Sequence, residues 1–379
     1  MSLLFYDDSP VFGGHEVMTL AGLDAVLRAS SEPTVFLAAA ANTKLLERLH
    51  QLAATHPHLT VESLPWHSSK LEAARNLALP TRTRTLARRF KQLTPAPTLI
   101  IAVQGNIEHS SLALRAARHA GITCASYLPV PHTNRQMGAK LGAARDRFCT
   151  PILKLPDAWI TITDEMARML TKRGATAPVH IVYNGIDTDR FHPGDSTEAR
   201  KSLNLPNDKT LLGIVGRIEF TQKQQHLLVE AVASSPTLRH ACHLVFAGDG
   251  PDSPALENLL ASHAIPASPL PWCDTAPLYQ ALDALVIPSR YEGLPLVMLE
   301  ALATGTSVFG SDRDGMIDLL PPERRFNPDH PESLATILSQ WITNGQPGPS
   351  PDLVTRVRET MSLSAFGRSF SSTILQIAR

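Results

Sequence analysis

The sequence predicts an α/β protein of two doubly wound domains facing each other across a cleft. Three observations carry this reading. Short apolar runs with the length of buried parallel strands alternate with helix-period segments in both halves of the chain. The length of 379 residues suits about two domains. A stretch rich in proline, glycine and aspartate, Asp189 to Asp208, separates the halves. The expected division is residues 1–185, residues 186–360 and a patterned tail, 361–379.

The first half opens with a strand, Leu3 to Tyr6. The glycine turn Phe12-Gly13-Gly14-His15-Glu16 follows, then an apolar-periodic helix from Val17 to Leu27. Gly13 and Gly14 suit either a tight turn or close approach of backbone to a ligand. The next units are a strand (Thr34 to Ala38), a helix (Thr43 to Ala54) and a strand (Leu59 to Leu64). Thr98 to Val103 reads as a buried strand ending at Gln104-Gly105-Asn106, where ligand-carrying loops sit in such sheets. Helix Ser110 to Ala120 and strand Thr123 to Leu128 lead into Pro129-Val130-Pro131-His132-Thr133-Asn134. His132, in a proline-stiffened loop beyond a strand, is a candidate active-site group. Trp159 to Thr163 reads as a strand and Asp164 to Arg173 as a helix.

Two stretches of this half are basic. Arg82, Arg84, Arg88, Arg89 and Lys91 surround Leu86, Phe90 and Leu93, and Arg135, Lys140, Arg145 and Arg147 follow His132. A solvated helix face is the ordinary explanation. Contact with an anionic membrane surface is the functional one.

The second half restarts with strand Leu211 to Val215, then Gly216-Arg217, Lys223 and a helix from Gln224 to Ala233. Strand His243 to Ala247 ends in Gly248-Asp249-Gly250-Pro251. A helix (Pro254 to His263), the segment Leu270-Pro271-Trp272 and a helix (Ala276 to Leu282) follow. The stretch Ala284 to Ser311 then reads as strand, loop, helix from Pro295 to Thr304, and strand. Pro295 suits the first helical position and Gly305 the left-handed stop. The tail has apolar residues at helical spacing: Phe366, Phe370, Ile374 and Ile377.

The chemistry concentrates in Ala284 to Ser311. The helix is apolar nearly all round except for Glu300, so that carboxylate needs a partner. Glu292-Gly293-Leu294 precedes the helix N-terminus, which favours anions. Arg217 and Lys223 follow the C-terminal end of the domain's first strand, where ligands bind in open α/β sheets. Two fixed cations opposite two hydroxyl acceptors make a site for a diphosphate between two polyols. Such cations stabilise charge on a leaving diphosphate without a metal.

Bulk properties narrow the field. Lys plus Arg balance Asp plus Glu at 35 each, which argues against nucleic acid as a partner. Asp7 and Asp8 follow a very short apolar run, so no signal peptide is expected. No apolar run approaches the ~20 residues of a membrane span. Cys124, Cys149, Cys242 and Cys273 are scattered and read as reduced thiols of a cytoplasmic protein.

With these motifs the chain resembles the GT-B glycosyltransferases of the large retaining family four (group 1). The resemblance rests on Gly216-Arg217 with Lys223, Ala247 to Pro251, Pro288 to Pro295, Leu299 to Gly305 and Ser307-Val308. Asn184-Gly185-Ile186-Asp187 with Phe191 and Pro193 is similar to the family's interdomain linker. The resemblance implies two Rossmann-like domains, an acceptor side first and a donor side second, with the tail crossing back to the first. It implies a nucleotide-diphosphate sugar as donor, retention of configuration, and no cofactor or metal. Glu292 and the backbone of Gly293 and Leu294 would hold the donor sugar, Glu300 the ribose, and Arg217 and Lys223 the diphosphate. His132 would stand near the donor sugar, and Gly13 and Gly14 match the N-terminal glycine loop.

The chain departs from the family pattern at His15, where a small residue is usual, and at Asp314-Gly315-Met316-Ile317-Asp318. Asp187-Thr188-Asp189 and Asp312-Arg313-Asp314 resemble the metal-binding D-x-D of the other glycosyltransferase fold, a reading the nearby cations disfavour. Alternatives on the same fold are a nucleotide-sugar epimerase, a sugar phosphorylase or a non-enzymatic sugar-nucleotide-binding protein. The acceptor is expected to be a glycan or a lipid-linked hydroxyl. The basic stretches admit peripheral contact with the inner face of a membrane.

Overall fold

A computed structural model describes every residue from Met1 to Arg379. The chain divides into two compact units, Met1–Asn184 with Leu363–Arg379, and Gly185–Ser362.

The first unit is a seven-stranded, all-parallel sheet. Its strands are β1 (Leu3–Asp7), β2 (Thr34–Ala39), β3 (Leu59–Leu64), β4 (Leu99–Val103), β5 (Thr123–Tyr127), β6 (Ala158–Thr161) and β7 (Val179–Ile181). Their spatial order is β3-β2-β1-β4-β5-β6-β7. Every residue of β1 and β4 is buried, as strands covered on both faces require. The order reverses between β1 and β4. The loops leaving those strands therefore diverge to opposite faces and leave a crevice at their carboxyl ends.

Helix Leu363–Ile377 belongs to this unit and packs on helix Gly14–Ala29. Phe366, Phe370 and Ile374 are buried, as the tail's spacing predicts. Phe370 lies against Gly22 of the partner helix and edge-on to Tyr127 of β5, at 5.5 Å between centroids.

The second unit repeats the plan with six parallel strands: β8 (Thr210–Val215), β9 (Cys242–Ala247), β10 (Ala267–Leu270), β11 (Ala284–Ile287), β12 (Ser307–Ser311) and β13 (Arg325–Phe326). The order is β10-β9-β8-β11-β12-β13, with the reversal between β8 and β11. Its core joins Leu212, Leu244, Val286 and Phe309 from the strands to Leu228 and Trp341 from the covering helices.

Several short elements depart from the sequence expectations. Helix Ser196–Ser202 occupies part of the stretch expected to be a linker, capped by Asp195 and tied down by Arg200, whose Nη2 reaches Asp283 at 2.7 Å. Ala267–Leu270 is a sheet strand despite Pro269, because it lies at the sheet edge, where a missing N–H is tolerated. Pro295 is the N-cap residue with extended ψ of 123°, and the helix begins one residue later, Leu296–Thr304. Gly305 does adopt the left-handed stop, φ 86°.

Candidate active site

The reversal in the second sheet brings two loops together. One leaves β8 as Gly216-Arg217-Ile218 and the other leaves β11 as Ser289 to Leu294. The β9 loop packs beneath the first through its glycines. A Cβ on Gly248, at φ +135°, would lie 2.2 Å from the Gly216 carbonyl oxygen, and one on Gly250 would lie 2.1 Å from that of Ile218. The Gly-Asp-Gly run is thus required by loop-on-loop contact.

Lys223 and Glu292 meet across the two loops as an ion pair. Glu292 is 9% exposed. Its amide donates to Asp314 Oδ2 at 2.8 Å, and the Gly293 carbonyl accepts from the Gly315 amide at 3.0 Å. The turn that departs from the family pattern therefore still fixes the Glu292 loop, with an aspartate as its acceptor. The Arg290 amide donates to the Gln222 carbonyl at 2.7 Å, a second tie between the same loops. Arg217 stands apart. Its side chain is 63% exposed, with Glu219 at 3.6 Å as its counter-charge. Leu294 is buried and anchors the loop end.

Glu300 has the partner that its apolar helix requires. Tyr279 donates its hydroxyl to Glu300 Oε2 at 2.8 Å. Burial pushes the Glu300 carboxyl above the ordinary glutamate value, against the Tyr279 bond and the charge of Arg190. Arg190 is held by Asp274 at 2.7 Å. That bond, helped by the Ala276 amide, keeps Asp274 below the usual carboxylate range. Tyr279 and Arg190 are absent from the sequence-derived site. The need for a Glu300 partner was legible, but its identity depended on a helix packing across the unit.

Neither D-x-D sequence forms a carboxylate pair. Asp187 Oδ1 accepts from the amides of Asp189 and Arg190, both at 3.1 Å. Asp312 pairs with Arg325 at 2.7 Å, while Asp314 serves the Glu292 amide. These carboxylates shape turns.

In the first unit, Gly13 is the N-cap of helix Gly14–Ala29, and its amide donates to Glu16 Oε2 at 2.7 Å. Gly13's amide is therefore engaged, whereas a Cβ at Gly14 would meet open space. Beside the loop, His15 Nε2 lies 2.9 Å from Glu16 Oε1. Burial pushes the nearby Asp7 carboxyl up to about 7, with His15 opposing and Glu16 adding to the shift. His132 is buried, 2% exposed, contrary to the usual solvated loop histidine. Its carbonyl accepts from Arg173 Nη1 at 3.0 Å. The loop is thus fixed by a half-buried guanidinium as well as by its prolines.

The first basic stretch is an ordinary helix, Pro80–Gln92, with its apolar side inward. Leu86 and Phe90 are fully buried, and Arg82 and Arg89 pair with Glu72 and Glu62, each at 2.7 Å. That apolar stripe is not available to a membrane. In the second stretch Arg145 is taken by Glu108. Arg135, Lys140 and Arg147 stay exposed, beside Leu141 at 72% and Phe148 at 41% exposure. No helix is long and apolar enough to cross a membrane.

Comparison with known proteins bears on the family and the fold. A family model described as "Glycosyltransferase Family 4" matches residues 12–190, and one described as "Glycosyl transferases group 1" matches residues 195–356. The D-inositol 3-phosphate glycosyltransferase of Mycolicibacterium paratuberculosis is 31% identical over 208 residues, which is 50% of this chain and 47% of that protein. That of Mycobacterium tuberculosis strain F11 is 34% identical over 168 residues, 42% of this chain and 35% of the relative. The chain thus spans about half the length, or less, of the curated relatives it matches. Among solved structures, Anabaena HepE in complex with UDP superposes with a TM-score of 0.79 at 16% identity, covering 99% of this chain and 100% of that one. The sucrose-phosphate synthase of Thermosynechococcus elongatus gives 0.75 at 18% identity, covering 100% and 99%. At such identities the likeness speaks for the fold, GT-B with two Rossmann-like domains. Two family matches that follow one another along the chain and the shared fold agree: the chain belongs to the family-four glycosyltransferases, group 1.

Proposed function

We propose that this chain is a retaining glycosyltransferase that moves a sugar from a nucleotide-diphosphate sugar to a hydroxyl acceptor without a metal at the diphosphate. The observation that carries the reading is the Lys223–Glu292 pair, held on loops at the switch point of the second sheet, with the Glu300–Tyr279 pair in the helix that follows. Support comes from solved neighbours: Anabaena HepE was crystallised with UDP and with UDP-glucose.

In this reading Glu300 accepts from the ribose hydroxyls and Glu292 from those of the sugar. When the donor enters, Lys223 exchanges part of its interaction with Glu292 for the diphosphate, joined by the mobile-stemmed, exposed Arg217. As the bond from the anomeric carbon to the diphosphate oxygen breaks, its electron pair passes to that oxygen, where the two cations stabilise it. The acceptor oxygen bonds to the anomeric carbon on the same face, and its proton goes to the leaving phosphate oxygen. His132, on its fixed loop, is assigned to the donor sugar, and Gly13 and Gly14 to the glycine loop of the same site. The Trp272-Cys273-Asp274 loop is assigned to the base.

The acceptor is a glycan or a lipid-linked hydroxyl. Relatives named for D-inositol 3-phosphate add phosphorylated polyols to the candidates. Exposed Leu141 and Phe148 among Arg135, Lys140 and Arg147 fit a cytoplasmic protein that touches an anionic membrane face. Liposome flotation tests this part: equal absence from anionic and neutral vesicles removes it.

The deciding experiment is nucleotide diphosphate release from UDP-, GDP-, ADP- and TDP-sugars, with and without EDTA, for wild type, Lys223→Ala and Glu300→Ala. Release from one donor, unaffected by EDTA and lost in both variants, is expected. Release that requires free phosphate would identify a phosphorylase, and conversion of the donor without release an epimerase. Donor binding without turnover on any acceptor would favour a binding protein.

A further inference from the structure

The switch point of the first sheet gathers a second set of chemical groups. Asp7 ends β1, while His15 and Glu16 open helix Gly14–Ala29. One ligand atom from each of the three lies within 4.8 Å of the others. Asp7 and Glu16 are 0% exposed, and the His15 side chain keeps 16% exposure.

Their polar atoms are incompletely satisfied. Asp7 Oδ2 has no hydrogen-bond partner. His15 Nε2 and Glu16 Oε1 face each other at 2.9 Å as an ion pair, with nothing beyond each other to meet Asp7 Oδ2. Buried polar atoms that converge without satisfying one another point to a further group among them.

The surroundings hold these atoms in place. Asp7 Oδ1 accepts from the Ser9 amide at 2.8 Å, and Glu16 Oε2 from the Gly13 amide at 2.7 Å. Each carboxylate is thus oriented through one oxygen, which leaves Asp7 Oδ2 without a partner and turns Glu16 Oε1 to His15, as outer partners orient metal ligands. The His15 ring packs on Gly105 beyond β4, where an added Cβ would lie 2.6 Å from the ring.

We propose that Asp7, His15 and Glu16 hold one divalent transition-metal ion, zinc in the first instance. A dication balances two buried carboxylates that otherwise have only the His15 imidazole as a counter-charge. One imidazole with two carboxylates is a zinc-type ligand set, whereas magnesium and calcium favour oxygen throughout. Three protein ligands leave a coordination position for water or an anionic oxygen on the partly exposed His15 side. The donor diphosphate's charge is assigned to Arg217 and Lys223 of the second unit and does not call on this ion. Glycosyl transfer is therefore not the readout.

The test is calorimetric titration of the full chain, stripped with chelator, with zinc chloride and separately with magnesium chloride, alongside thermal melting. Wild type is expected to take up one zinc saturably and to melt at a higher temperature with it. Asp7→Asn and His15→Gln are each expected to weaken zinc binding more than 100-fold, beyond the roughly 10–100-fold cost of losing an outer partner. Circular dichroism checks that both remain folded, and the partly exposed His15 site decides if Asp7→Asn does not. No saturable zinc uptake by wild type overturns the proposal. So does unchanged affinity in the variants, which would put zinc on other histidines, and so does magnesium binding as tight as zinc.

Discussion

Lys223 and Glu292 neutralise each other across two loops of the second unit. Such a pair keeps a cation and a hydroxyl acceptor poised without leaving a charge unpaired beside a 9% exposed carboxylate. If Lys223 acts on the departing diphosphate, Lys223→Ala should lower kcat by on the order of 10²–10³, the cost of one removed transition-state donor. Glu292→Gln should raise KM for the sugar nucleotide more than for the free nucleotide diphosphate. Steady-state kinetics together with diphosphate inhibition separates the two. Equal losses in both variants for free diphosphate would contradict the division of roles.

The Glu300–Tyr279 pair makes a pH prediction. If Glu300 takes both ribose hydroxyls it must be ionised to accept them, and its folded value lies above the ordinary 4.5. Donor binding should therefore weaken on acidification from a pH above 4.5, and Tyr279→Phe, which removes the stabilising hydroxyl, should move that loss to still higher pH. Nucleotide titrations across the acid range read this directly. The stability sign is opposite. A carboxyl raised in the folded state favours folding at low pH, and that contribution is lost as pH rises through the folded value. Glu300→Gln is thus expected to melt at a higher temperature than wild type near neutral pH while losing nucleotide affinity.

The parts of this site that were legible in the sequence are those written locally. Glu292-Gly293-Leu294 and Glu300 stand at fixed offsets around one turn and one helix, so loop and helix could be read together. The parallel pairing of the strands followed from βα alternation, since parallel strands need crossover helices. Tyr279, Arg190 and Asp314 were not legible as partners, because each reaches its target across a separate element. Asp7 meets His15 only through the turn that joins β1 to helix Gly14–Ala29, whose path the residues between them do not announce. Helices Glu72–Ala78 and Gly142–Cys149 escaped for another reason: each begins after a leucine with positive φ, at Leu71 and Leu141, and carries no polar cap to announce it.

The four cysteines should differ sharply in reactivity. Cys124, Cys149 and Cys242 are buried, and burial pushes each thiol up to about 12. Cys273 is exposed, in the loop assigned to the nucleotide base. Iodoacetamide at neutral pH should modify Cys273 alone in the native protein and all four after denaturation, read by mass spectrometry. Saturating nucleotide diphosphate should slow the native reaction. Unchanged labelling with nucleotide bound would remove that loop from the base site.

The tail helix makes the sharpest stability prediction. Phe370 is 0% exposed, and its ring so fills the space over Gly22 that an added Cβ there would fall 2.7 Å from it. Phe370→Ala empties a site bounded by helix Gly14–Ala29 and Tyr127, with a cost of about 3–5 kcal/mol. Gly22→Ala should destabilise by overpacking the same contact, about 1–3 kcal/mol. Because both act on one contact, the double variant should cost less than their sum: the added methyl occupies part of the space that the lost ring leaves. Urea unfolding of the four proteins measures this coupling. Strict additivity would mean that the two helices relax apart once either residue changes, and that the tail is held by Phe366 and Ile374 instead.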